Sequence, residues 1–184
     1  MISIRMVVVL ILFSICMLAY GDDKGPESLA EKYFNTLQTD GVTSVGQFLH
    51  PDALAEFKNM MLPIIEAEAN SGQHQLKDVL FGDSATVAEI KEMDHMDFMN
   101  SCMNLIAIQM GSANISFDKM EILGTIEEGD ARHVVTRIAI GADELAITQF
   151  EVLSFMPYED TWRLQLSGKM KGLAATLRAN MPKN

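Results

Sequence analysis

Up to about Met110 the apolar residues recur every three or four positions, as on one side of a helix. After Gly111 they alternate with polar ones, as in half-buried strands. Leu29, Tyr33, Phe34 and Leu37 predict a first helix, opened by a capping box of Ser28 with Glu31 and ended at Gly41. Ser44 with Gln47 makes a second box before "VGQFL". Pro51 suits the first turn of the next helix, where Leu54, Phe57, Met61, Ile64 and Ile65 form one stripe that Pro63 should kink or divide. "NSGQHQ" reads as a loop, and Thr86 with Glu89 as a third box. Asp94 reads as the N-cap of a helix that Gly111 stops.

The second half holds four runs rich in Val, Ile, Thr and aromatics: "SFDKMEILGTI", "RHVVTRIAI", "LAITQFEVLSFM" and "TWRLQLSGKM". The turns "EEGDA", "GADE" and "PYED" separate them, and connections this short predict an antiparallel meander. A last amphipathic segment carries Leu173 and Leu177. Helices first and a curved four-stranded antiparallel sheet after them, closed by a C-terminal helix, is an α+β architecture.

This order resembles the nuclear-transport-factor-2-like cone, the family of ketosteroid isomerase and of many secreted bacterial domains. "AEKYFNTLQTDGVTSVGQFLHPDALAEF" resembles its first helix, turn and second helix, and "HVVTRIAI" and "TWRLQL" resemble its long strands. The resemblance implies a cavity between sheet and helices, here lined from Tyr33, Phe34, Phe57, Ile138, Phe150 and Trp162 together with the methionine-bearing helix. It also implies pairing of two copies through a sheet face. It does not choose a function, because the cone serves isomerases, dehydratases, carriers and dimerisation modules alike.

The ends bear on compartment. Arg5 precedes the apolar run Met6–Ala19, the length of a signal-peptide core and shorter than the roughly 20 residues a spanning helix needs. Ala19 and Gly21 supply the small residues of a cleavage site. The expected product is a single domain over 22–184, secreted to a periplasm or the medium, with no membrane association after cleavage. Processing removes Arg5, taking the net charge from −11 to −12, since 14 basic residues become 13 against 25 acidic ones. A chain this acidic is repelled by phosphate backbones and anionic lipid, so nucleic acid is not expected as a partner. Cleavage also leaves Cys102 as the sole thiol, expected to be a small buried hydrophobe.

Candidate chemistry is sparse. Met96, Met99, Met103, Ile106 and Met110 are spaced 3, 4, 3 and 4 apart, an apolar seam suited to a helix packed on a sheet. The alternative is a Cu(I) site from Met93, His95, Met96 and Met99, because thioethers and imidazole are soft ligands. On the third-quarter strands, His133 and Arg137 share one face, with Val134, Thr136 and Ile138 on the other. If Phe150 and Val152 line the core, then Gln149 and Glu151 join Arg137, and Arg163 extends a polar face that is a ligand platform or a dimer interface. Asp118, in phase with Met120 and Ile122, reads as facing inward. By the resemblance, it and Tyr33 form half of an isomerase-type oxyanion site. The chain has no Gly-x-Ser-x-Gly elbow, phosphate loop or Cys-x-x-Cys pair, and no cofactor is expected.

The expectation is therefore a secreted, non-catalytic module, a homodimer or the binder of a small apolar ligand. An isomerase- or dehydratase-like enzyme and a copper-binding protein stand as alternatives.

Overall fold

The computed structural model describes residues 24–142 and 145–179, and the apolar run and cleavage site lie outside them. The order is α1 (Pro26–Thr39), a 3-10 helix (Val42–Phe48), α2 (Pro51–Asn70), α3 (Gln75–Phe81), α4 (Val87–Glu92) and α5 (His95–Ser112). There follow β1 (Ile115–Glu128), β2 (Ala131–Ala142), β3 (Leu145–Tyr158), β4 (Thr161–Leu164) and α6 (Gly168–Ala179). The strands form one antiparallel sheet in sequence order, so the α+β meander holds.

The local signals held unevenly. Thr86 and Glu89 make the full capping box of α4, and the Asp94 carboxylate caps α5 by accepting from Met96 N–H at 2.7 Å. Ser28 does not cap α1, which starts two residues earlier at Pro26 with Gly25 as its N-cap. Ser44 starts no α-helix. Its hydroxyl donates to Gly41 O within the 3-10 turn. Pro63 does not divide α2, which runs unbroken through it, with Pro63 and Asn59, whose carbonyl loses its donor, both exposed. The end of the expected loop folds instead into α3, whose first N–H groups are held by the Glu68 carboxylate at 2.9–3.3 Å.

Among the described residues two apolar clusters organise the interior. One is helical: Leu54, Phe57, Met61, Ile64 and Ile65 of α2 meet Ile90, Phe98, Met99, Cys102 and Met103, with Ala174 of α6. The other joins α1 and the 3-10 helix to the inner face of the sheet, through Ala30, Phe48, Val134, Leu153, Phe155 and Leu164. Met99 and Met103 of the methionine seam are thus core, with Met96 and Ile106 packed against them, but the expected packing of α5 on the sheet is corrected. Its buried side chains meet α2, and Met96 Sδ fills the space a side chain at Gly46 of the 3-10 helix would occupy. The inner sheet face is taken by α1 and the 3-10 helix, so α5 lies in a second layer of helices.

Candidate functional site

Residues paired across an antiparallel ladder point to the same face, so the register decides what each face carries. β2 behaves as its spacing predicts, with Val134, Thr136 and Ile138 buried and Arg137 exposed. β3 does not. Thr136 pairs with Glu151, Arg137 with Phe150 and Val135 with Val152. Phe150 and Val152 therefore stand on the outer face, 66% and 52% exposed, while Gln149 and Glu151 face inward. The cause is the two-residue period. Leu153 and Phe155 are buried, and a strand that puts them inside must put positions 150 and 152 outside.

This corrects the expected polar platform. Arg137 lies out of reach of Glu151, on the opposite face. It forms an ion pair with Glu121 at 2.8 Å and lies over the Phe150 ring at 5.5 Å. Arg163 donates to Gln47 O and stacks on Tyr158 at 5.7 Å. Phe150 leaves the expected cavity lining altogether. The other lining residues do not surround one space. Phe57 belongs to the helical cluster, whereas Tyr33 and Trp162 pack on the sheet cluster, and Phe34 and Ile138 are buried.

On the inner face, Glu151 and Gln149 meet Lys169 at the start of α6, and Thr136 Oγ1 donates to Glu151 O at 3.1 Å. Burial pushes the Tyr33 hydroxyl pKa above its ordinary value, and the Glu151 charge adds to the rise. Asp118 is not part of this group. A bulge between Phe117 and Lys119 breaks the phase of β1, so the exposed Asp118 carboxylate accepts from Ser116 at 2.7 Å and lies against Gly141. Tyr33 and Asp118 therefore do not share an inward-facing site.

The proposed copper donors are spread between core and surface. Met99 is fully buried, Met93 and Met96 pack against the helical cluster, and His95 is exposed. Burial pushes the Cys102 thiol pKa up to about 12. Among the described residues no three His, Cys, Asp or Glu side chains gather as a metal site, and no helix is long and apolar enough to cross a membrane. Open clefts of about 310 Å³ lie beside His50 and Glu56 and beside Leu37 and Met110.

The outer face is the distinctive surface. Phe150 and Val152 stand beside the half-buried Val135, with Ile126 59% exposed and Leu123 41% exposed on β1. At one side of this stripe lies the Arg137–Glu121 pair. At the other is a polar chain. His133 sits opposite Ser154, its Nδ1 2.9 Å from Ser154 Oγ and its Nε2 3.0 Å from Glu128 Oε2. The phase of β3 hid this face from sequence reasoning, since "ITQFEVLSF" carries apolar residues on both parities.

Comparison of the chain with known protein families and with curated proteins finds no match.

Proposed function

We propose that this chain is a secreted interaction module that pairs with a second copy of itself through the outer face of its sheet, in the manner of a nuclear-transport-factor-2-like cone. The observation that carries the reading is the run of apolar side chains on that face. Leu123, Ile126, Phe150 and Val152 are all more than 40% exposed, and among the described residues no helix covers them. Contiguous apolar surface of this kind is costly to leave in water and marks an interaction site. The bounding charges favour self-pairing. Arg137 and Glu121 carry opposite signs side by side, so a two-fold operation can set each against the other in the second copy. Sheet faces pack at about 10 Å separation with interdigitating side chains, which suits a stripe of Val, Ile, Leu and Phe.

Sedimentation velocity across a concentration series tests this. The wild-type chain is expected to shift from monomer to dimer as concentration rises. Phe150→Glu, at a position exposed in the monomer, is expected to stay folded and monomeric. A wild type that remains monomeric throughout, or a Phe150→Glu variant that dimerises equally well, overturns the proposal.

A further inference from the structure

We propose that Ser154 is a nucleophile, activated by His133 and Glu128, that accepts acyl groups from apolar esters. This goes beyond the pairing reading and does not rest on it. The argument starts from the imidazole. A carboxylate only accepts hydrogen bonds, so the 3.0 Å contact between Glu128 Oε2 and His133 Nε2 places the ring proton on Nε2. Nδ1 then carries a free lone pair, and it lies 2.9 Å from Ser154 Oγ, whose hydroxyl donates to it. Nucleophile, base and orienting carboxylate are thus linked in one chain, the arrangement that activates a serine whichever ring nitrogen faces it.

Regular strands hold the group. His133 and Ser154 are a direct cross-strand pair, and Ile126, two residues before Glu128, is the partner of His133 on β1. The imidazole is only 20% exposed, while Glu128 at 82% lies open to solvent at the strand end. Ser154 is half-buried and, as the cross-strand partner of His133, shares its outer face. Ile126 and Val152 flank the pair, and Phe150 continues the stripe, so an acyl chain has an apolar path along the same face. On the far side of Ser154, Gln165 N–H donates to Ser154 O at 2.8 Å, so it is not free to stabilise a developing oxyanion. The ladder uses the backbone donors that usually fill that role, so acyl transfer is expected to be slow.

In the acylation step Ser154 Oγ attacks the ester carbonyl carbon while its proton passes to His133 Nδ1. The tetrahedral oxyanion collapses, the bond to the leaving alcohol's oxygen breaks, and His133 returns the proton to that oxygen. Acyl-Ser154 and free alcohol result. Water, deprotonated by the same nitrogen, then releases the carboxylic acid and restores the serine.

The test uses the full chain, diluted until sedimentation shows monomer, with p-nitrophenyl octanoate. Intact mass and peptide mapping are followed together with p-nitrophenol release. The expected result is one octanoyl group on Ser154 with a burst of product, absent in Ser154→Ala. The rate should fall by about 100-fold or more in His133→Gln. Glu128→Gln, an exposed change that keeps the fold, is expected to slow acylation and move its pH profile. Octanoyl groups confined to lysines, or Ser154 acylation unchanged in both His133→Gln and Glu128→Gln, overturn the proposal. Since the chain is monomeric here, failure leaves the pairing reading untouched, and a chain that never dimerises can still acylate.

Discussion

Arg137 and Phe150 face each other directly across the β2–β3 ladder, with the guanidinium carbon 5.5 Å from the ring centroid on the side of the sheet away from the helices. The contact holds the ring of Phe150 upright on the outer face and ties the apolar stripe to its charged border. A cation over an aromatic ring at an exposed site contributes about 0.5–1 kcal/mol. A double-mutant cycle of Arg137→Ala and Phe150→Ala, read by urea unfolding of the dilute monomer, should give a coupling of that size. Additive single changes would show that the pair contributes nothing.

The interior side of the methionine helix should respond very differently from its exposed side. Met99 is fully buried in the helical cluster, whereas Ile108, on the same helix, is 67% exposed. Met99→Ala is expected to cost about 2–5 kcal/mol, and Met99→Leu less than about 1.5 kcal/mol. Ile108→Ala should stay within about 0.5 kcal/mol. Chemical denaturation of the three variants checks the ordering.

Stability should decline at alkaline pH. The Cys102 thiol ionises near 9 when unfolded and near 12 when folded, because burial disfavours the thiolate. Between those values the unfolded chain binds fewer protons, so the stabilisation present below pH 9 is lost as pH rises toward 12, with a limiting slope of about 1.4 kcal/mol per pH unit. The raised Tyr33 hydroxyl acts in the same direction above pH 10. Urea midpoints measured between pH 8 and 10.5 should fall less steeply for Cys102→Ala than for wild type. Native Cys102 should also resist thiol reagents until the chain unfolds.

Lys58 joins two helical segments from the inside. Its side chain is 6% exposed, and its ammonium donates to the carbonyl oxygens of Lys91 and Met93 and lies 5.8 Å from the Phe98 ring centroid. Lys58→Met keeps the apolar stem and removes the donors. Leaving the two carbonyls without them should cost about 1–3 kcal/mol. Hydrogen exchange is expected to show faster opening from Ile90 to Met96 than elsewhere.

Some of this architecture was readable from single residues. Thr86 with Glu89 and Asp94 before Met96 announced helix starts that hold, because a cap acts within four residues of itself. The short acidic turns gave the meander for the same reason. Ser28 and Ser44 carried equal local signals and failed, since α1 already begins at Pro26 with Gly25 as its N-cap and Ser44 folds into a 3-10 turn. The candidate sites were less legible. Asp118 lost its phase to a bulge that no residue type announces, and Glu151 exchanged faces with Phe150.

By itself the sequence determined the class, the order of elements and the two periods, since spacing along a chain dictates which side chains share a face. Tertiary structure alone decided which face of β3 turned inward and where the methionine helix came to rest. Both choices compare the burial of whole facing layers. Leu153 and Phe155 bury more against α1 and the 3-10 helix than Phe150 and Val152 could have, and no local window of the chain contains that comparison.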